Sequence, residues 1–302
     1  MGHKRVELTL KEVDKQIRGL MSERYVARDY LRLFQGVFKA QYQTERKLRA
    51  KDLYPSISKK EAAERIRQGL PIIDPNKLQL GERELCDLLQ RIGSILVAHD
   101  TGGNPAVKLL LEAEGSGDIS LRELARQTIA DDGEYLGQFS EKMGEDKEGA
   151  ALLATVLVAP FLRVCARPLR RKVDLDSLPT RRCPICGGAP LMARLREGDG
   201  KRMLECSLCN TQWAFNRLRC PFCGNEDQST LGFFFVEQED AYRVDKCDRC
   251  KRYIKTVDER KKAEDKLRAL PVEDVATLYL DMLAEKEGYR KMKEPLWKEG
   301  NG

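Results

Sequence analysis

Histidine and tryptophan are scarce in this chain of 302 residues. It has two of each, and aromatic residues make up 7% of it. A hydrolytic triad needs a histidine base beside a suitable nucleophile, and neither histidine lies near a matching nucleophile motif. The sequence therefore argues against hydrolytic catalysis, and we predict that the protein is not an enzyme.

Long hydrophobic runs are also lacking. The longest uncharged run, Gly149 to Leu162, has 14 residues, whereas a membrane-spanning helix needs roughly 20. The start of the chain lacks the apolar core of a signal peptide. We therefore predict a buried core helix at this run, no membrane insertion and a cytoplasmic protein.

Cysteine, in contrast, is concentrated in one stretch. Eight of the ten cysteines form four Cys-x-x-Cys pairs within 68 residues, separated by gaps of 19 residues between the first two pairs and 23 between the last two. Each gap can hold a β-hairpin that brings two pairs together as a tetrahedral four-thiolate metal site. The predicted ligands are Cys183, Cys186, Cys206 and Cys209 in one site, and Cys220, Cys223, Cys247 and Cys250 in the other. A cross-braced pairing is the alternative.

The residues that follow the pairs support this prediction. A cysteine turn around a metal often needs a positive φ after its second cysteine, and glycine adopts that conformation without steric cost. Gly187 and Gly224 stand at two of these positions, and Asn210, which also tolerates the left-handed region, stands at a third. Lys251 at the fourth position fits least well.

Strand-like segments lie between the pairs. Leu191 to Arg196 and Arg202 to Glu205 flank a Glu-Gly-Asp-Gly turn sequence. Phe233 to Val236 and Ala241 to Val244 form a second predicted hairpin, and Tyr253 to Val257 a third strand. The spacing thus predicts one hairpin for each metal site.

The residues leave the identity of the metal open. Zinc is the commoner occupant of structural four-cysteine sites, but a tetrahedron of thiolates suits iron equally well. Four thiolates leave no open coordination position, which argues against metal-water catalysis. The unpaired Cys86 and Cys165 fall within apolar helices and are predicted to be core residues.

The charge balance argues against nucleic acid as a partner. The formal net charge is +6, and eight thiolates with two divalent cations would lower it to about +2. Trp213 and Phe215, which follow the second cysteine pair, are predicted to pack beside the first metal site and not to stack on bases.

The rest of the chain is predicted to be helical. Glu82 to His99, for example, presents Leu85, Leu89 and Ile92 on one face. A last helix, Val272 to Lys286, carries an apolar stripe. The stripe consists of Val275, Leu278, Tyr279 and Met282. We therefore predict an α+β protein with an N-terminal all-helical domain, two tandem rubredoxin-like or zinc-ribbon four-cysteine β modules, and a C-terminal helix. The expected boundaries are 1–178, 179–215, 216–262 and 263–302.

Several stretches are more specific than cysteine spacing alone. They are Cys183 to Pro190, Arg202 to Trp213, Arg217 to Gly224, Cys247 to Lys255 and Val272 to Met282. In these stretches the sequence resembles the formate dehydrogenase accessory protein (FdhE) family, and the helical first half matches more loosely. Asp245, where glutamate is expected, is a mild departure.

The resemblance implies a function and a metal. It implies a cytoplasmic maturation factor that binds the catalytic subunit of respiratory formate dehydrogenase without joining the final enzyme. It favours iron over zinc in both sites. The alternatives are a rubredoxin-type electron carrier and a zinc-ribbon nucleic-acid-binding regulator. The sequence is also compatible with a homo-oligomer, although its hydrophobic faces are all explained as core and no interface stands out.

Overall fold

The computed structural model describes residues 9–21, 28–99, 105–142, 147–178, 180–237, 239–263 and 267–291. Helices precede the cysteine pairs, a mixed β-sheet carries the pairs, and two short helices follow. This is the predicted α+β fold with two four-cysteine modules.

The described residues before the first cysteine pair form a series of nine helices. They are α1 (Leu10–Leu20), α2 (Arg28–Glu45), α3 (Ala50–Leu53), α4 (Lys59–Arg67), α5 (Glu82–Ala98), α6 (Pro105–Ser116), α7 (Leu121–Ala130), α8 (Gly133–Lys142) and α9 (Lys147–Leu169). Local sequence sets their limits. The Ser58 hydroxyl accepts the Glu61 amide while the Glu61 carboxylate accepts the Ser58 amide, so a capping box begins α4.

The chain divides into two compact units. Of the described residues, one unit contains 36–173 and 184–188, and the other contains those up to 35, 174–183 and those from 189 onward. The first unit is helical, and the second contains the sheet.

Helix α9 lies at the centre of the helical unit. It packs against α3, α5, α6, α7 and α8, and Leu157, Phe161 and Leu162 on it are buried. By length and composition, Leu152–Lys172 could cross a membrane, yet 67% of its most apolar window is buried within the protein. The run Gly149 to Leu162 thus lies in a core helix, as predicted. The structure does not describe the side chains of residues 149–151.

Residues 184–188 also belong to the helical unit. The backbone amide of Ile72 donates to the carbonyl of Pro184 at 3.0 Å, and that of Ile73 to the carbonyl of Ile185 at 2.7 Å. The Cβ of a residue in place of Gly187 would lie 3.3 Å from Pro71. These bonds satisfy two backbone carbonyls of the first cysteine turn.

Seven strands of the described residues form one sheet. They are β1 (Pro190–Leu195), β2 (Arg202–Cys206), β3 (Gln212–Ala214), β4 (Leu231–Phe234), β5 (Tyr242–Cys247), β6 (Arg252–Asp258) and β7 (Arg290–Lys291). The strand order is β3-β2-β1-β6-β5-β4, with β7 also paired to β6. Neighbouring strands are antiparallel except that β1 and β7 both pair with β6 in parallel.

The two cysteine modules therefore share a sheet, which spacing did not predict. The parallel pairing of β1 with β6 aligns Ala193 with Thr256 and Leu195 with Asp258. The second hairpin also differs in its bounds from the prediction. Strand β4 ends at Phe234 and not at Val236, whose carbonyl accepts the amide of Glu239 in the turn, and β5 continues to Cys247.

The predicted last helix is interrupted. It forms α10 (Leu270–Ala276) and α11 (Leu278–Lys286), with Thr277 between them in a non-helical conformation. The Lys255 ammonium donates to the carbonyls of Asp274 and Thr277 at 2.7 and 3.3 Å. The break also changes which residues of the predicted apolar stripe are buried. Val275 is buried, but Met282 is 72% exposed, so the prediction that Met282 belongs to the stripe was wrong.

Candidate metal centres

The first hairpin brings two cysteine pairs together. Cys183 and Cys186 precede β1, while Cys206 ends β2 and Cys209 follows in the next turn. The antiparallel register of β1 and β2 places Pro190 opposite Cys206. All four side chains are buried, their sulfur atoms lie within 4.8 Å of one another, and the Sγ atoms of Cys183 and Cys209 are 3.6 Å apart.

The second hairpin repeats the arrangement. Cys220 and Cys223 precede β4, and Cys247 and Cys250 surround the turn after β5. The four sulfur atoms again lie within 4.8 Å of one another. Cys220 and Cys250 have their sulfurs 3.8 Å apart, and Cys223 and Cys247 theirs 3.7 Å apart. Here Cys223 and Cys250 are only partly buried.

These distances fit a tetrahedral ion. A metal–sulfur bond of about 2.3 Å in a regular tetrahedron gives a sulfur–sulfur separation of about 3.8 Å. Each cluster could therefore hold one metal ion through four thiolates. The pairs combine in sequential order, so the cross-braced alternative is wrong.

Backbone geometry around the clusters follows the predicted turn. All four residues after the second cysteines have positive φ: Gly187 at 82°, Asn210 at 55°, Gly224 at 76° and Lys251 at 53°. In the last three turns the amide of that residue donates to the carbonyl of the first cysteine, at 3.2, 3.1 and 2.9 Å. Lys251 thus adopts the same conformation as the two glycines despite its side chain.

Polar side chains beside the sulfurs were not identified from the sequence. The Asn225 amide group donates to the Cys247 sulfur at 3.7 Å and to the Thr230 hydroxyl at 2.6 Å. In the first cluster, Thr211 has its hydroxyl oxygen 3.0 Å from the Cys209 sulfur. Asn225 lies two residues after Cys223, and Thr211 lies two residues after Cys209, but such residues are too common to stand out.

Hydrogen bonds within the second cluster favour the thiolate form of Cys220. The pKa of Cys220 is lowered to about 5, chiefly by a hydrogen bond from the Cys250 thiol and also by the backbone amides of Cys223 and Phe222. The pKa of Cys250 is correspondingly raised. Backbone amides aimed at sulfur stabilise thiolate, which is the form that binds a metal.

The remaining predicted residues occupy structural positions. Trp213 is fully buried and its indole donates to the Thr180 carbonyl at 2.7 Å, and Phe215 is also buried. Cys165 is buried, as predicted, whereas Cys86 is only partly so. Burial and a hydrogen bond with Glu114 raise the pKa of Cys86 to about 12, which leaves it an unreactive thiol.

Family models match the cysteine-bearing part of the chain. The central domain of FdhE matches residues 182–217, and the C-terminal domain of FdhE matches residues 218–296. The boundary between them falls between the two cysteine clusters.

Individual relatives match the same part. A Protein FdhE homolog from Aquifex aeolicus is 34% identical over 114 residues, which cover 37% of this chain and 39% of that protein. Protein FdhE from Escherichia coli is 35% identical over 112 residues, 36% of this chain and 35% of that protein. The matched stretch thus spans little more than a third of these relatives.

A solved structure extends the likeness of fold to the whole chain. The crystal structure of the FdhE protein from Pseudomonas aeruginosa superposes with a TM-score of 0.66, covering 98% of this chain and 97% of that one at 21% identity. This match concerns the fold alone. The two matched domains contain all eight paired cysteines, so residues 182–296 of this chain are similar to the central and C-terminal domains of FdhE.

Proposed function

We propose that this protein is an accessory factor in the maturation of respiratory formate dehydrogenase, acting in the cytoplasm on the immature catalytic subunit. The match of residues 182–296 to the central and C-terminal domains of FdhE supports an accessory role. The observation that carries the proposal is the pair of closed four-cysteine clusters, because they organise the part of the chain that the family shares.

The chemistry of the clusters favours a binding protein over an enzyme. Four thiolates would fill a tetrahedral ion and leave no position for substrate or water. The ions would hold the hairpins in place or exchange single electrons. Iron, which the resemblance favours, allows both roles, whereas zinc has no redox chemistry.

A rubredoxin-type electron carrier is the second candidate. The observation in its favour is the partial exposure of Cys223 and Cys250, which brings one edge of the second cluster to the surface of its module. A redox titration of the metal-loaded protein tests it. A reversible one-electron transition at the second centre supports a carrier, and the lack of any transition excludes it.

Genetic complementation tests the maturation role. In a host lacking its own FdhE protein, wild-type chain should restore formate dehydrogenase activity, whereas Cys206→Ser and Cys220→Ser should not. Cys86→Ser is the matched control, because Cys86 lies outside both clusters and should leave activity unchanged. Normal activity with both cluster variants would contradict the proposal.

A physical measurement separates maturation from indirect effects. The tagged protein should retain the cofactor-free catalytic subunit from extracts and release it once that subunit is mature. Equal retention of both forms, or of neither, would contradict binding to an immature subunit.

A further inference from the structure

A cavity of about 250 Å³ lies against the second cysteine cluster, with Cys220 and Cys247 in its wall. Its lining is strongly basic. The cationic side chains that line it are Arg202, Arg217, Arg219, Arg243, Lys246 and Arg252. Among the described residues of the lining, Asp245 is the one carboxylate. The cavity thus concentrates positive charge next to the second cysteine cluster, on a surface that does not take part in metal binding.

Arg202 on β2 is the most deeply buried of these cations, with 3% of its surface exposed. One terminal nitrogen donates to the Arg219 carbonyl at 3.4 Å, and the other lies 3.5 Å from Oδ2 of Asp245. Its Nε has no hydrogen-bond partner within the described part of the chain. A buried guanidinium nitrogen left without an acceptor is costly, and a negative charge in the adjoining cavity would stabilise this incompletely compensated cation.

Asp245 is shared too widely to neutralise the cavity. It lies 3.0 Å from the Arg243 guanidinium as well as 3.5 Å from that of Arg202, and it accepts the Thr256 hydroxyl at 2.6 Å. One carboxylate therefore serves two guanidinium groups. A buried charge needs a partner of its own, and this pair lacks one negative charge.

Other carboxylates compensate the lining only weakly. Arg219 has Glu226 at 3.3 Å and Lys246 has Glu287 at 3.5 Å. The side chains of Glu226 and Glu287 are 65% and 47% exposed, so water screens both pairs. A divalent ion with four thiolates has a net charge of two negative units. This centre and Asp245 together still leave an excess of positive charge from the six cations.

The guanidinium groups are held in position. The Arg243 guanidinium lies 5.0 Å above the centre of the Phe233 ring, a cation–π arrangement. Arg202 is fixed by its sheet position and the Arg219 carbonyl. Planar guanidinium groups fixed around a small cavity favour oxyanions whose oxygens accept paired hydrogen bonds.

We propose that this cavity binds an oxyanion of the phosphate class, either as the free ion or as the terminal group of a larger ligand. The volume of about 250 Å³ accommodates one such group. The positive charge that remains after Asp245 and the metal-loaded cluster are counted favours a dianion over a monocarboxylate. This inference is independent of the role in formate dehydrogenase maturation.

Calorimetric titration of the metal-loaded protein with inorganic phosphate tests the proposal at constant ionic strength. Wild-type protein should bind phosphate, and Arg217→Glu should weaken binding at least roughly tenfold, since it reverses a charge on the exposed side of the cavity. Lys286→Glu is the matched control: it changes the net charge equally at an exposed position outside the cavity and should change affinity less than about twofold.

Two further measurements sharpen the result. Arg202→Met should abolish phosphate binding, with metal content and circular dichroism showing that the variant remains folded. Titration with ADP distinguishes the sources: tighter binding than phosphate assigns the terminal group of a larger ligand, and equal or weaker binding assigns the free ion. No binding of either probe to wild-type protein, or equal phosphate affinity in Arg217→Glu and wild type, would overturn the proposal and leave the arginines as counter-charges of the metal centre.

Discussion

The ammonium group of Lys255 lies 2.7 Å from Oδ2 of Asp281, and the Lys255 side chain has no exposed surface. The same ammonium lies 2.8 Å from the Asp274 carboxylate. Lys291 completes the cluster at 2.6 Å from Asp274. Strand β6 is thereby joined to α10, α11 and β7 through buried charges.

We expect Lys255→Met to lower the free energy of unfolding by about 3 kcal/mol. Removing one partner of a buried ion pair costs about 3–5 kcal/mol, and Lys291 remains to compensate part of the carboxylate charge. Urea unfolding of the metal-loaded protein measures the change. Lys286→Met, at an exposed position on α11, should cost less than about 0.5 kcal/mol. A loss below 1 kcal/mol for Lys255→Met would show that the network contributes little.

Asp258 makes the stability depend on pH. Hydrogen bonds from the Arg260 guanidinium lower the pKa of Asp258, against the effect of burial. A carboxyl with a lowered folded-state pKa contributes stability above its unfolded value of about 3.9, and this contribution disappears as the pH falls through the folded-state pKa.

Asp258→Asn should therefore lower the free energy of unfolding by about 1 kcal/mol at pH 7, since Arg260 is partly exposed. The difference from wild type should shrink as the pH falls below about 4. Both proteins carry the same cysteines, so acid release of metal affects them equally. A difference that stays constant from pH 7 to pH 3 would contradict the assignment.

Lys251 adopts a conformation that glycine prefers, with φ at 53°. Lys251→Gly should be more stable than Lys251→Ala by about 1 kcal/mol, because both lose the Asp248 ion pair and only alanine retains the left-handed penalty. At Lys286, the last residue of α11, Lys286→Ala should be more stable than Lys286→Gly, because alanine is the better helix former. Thermal midpoints of the four variants measure both differences. Equal midpoints for the two Lys251 variants would show that the turn is not strained.

The second metal centre should lose its ion before the first. All four cysteines of the first cluster are buried, whereas Cys223 and Cys250 of the second are partly exposed. A chelator therefore has easier access to the second centre. Cys206→Ser retains only the second centre and Cys220→Ser only the first, so their release rates under excess chelator can be compared directly. Slower release from Cys206→Ser would contradict the difference in access.

Local features of this fold were predictable because short-range chemistry determines them. Gly187 and Gly224 marked two of the cysteine turns, and the turn sequence between β1 and β2 marked the first hairpin. Sequential pairing of the cysteines followed from the length of the gaps. These features depend on backbone conformation within a few residues, which residue type strongly limits.

Long-range features were not predictable by the same reasoning. The parallel pairing of β1 with β6 joins residues about sixty positions apart, and no turn sequence specifies it. Lys255 would be expected at the surface from its type alone, yet carboxylates from α10 and α11 allow it to be buried. Arg202 likewise lies beside the second cluster because the two modules form one sheet, which no local sequence pattern indicates.

Metal content and the visible spectrum, measured on protein purified without oxygen, decide whether the eight paired cysteines form two separate metal centres. Wild-type protein should contain two ions per chain, Cys206→Ser and Cys220→Ser one ion each, and Cys86→Ser two. Thiolate-to-iron absorption would identify iron, and colourless protein with two zinc ions would identify structural centres. Well-folded wild-type protein without metal, or a single-cluster variant that still binds two ions, would contradict two independent four-cysteine centres.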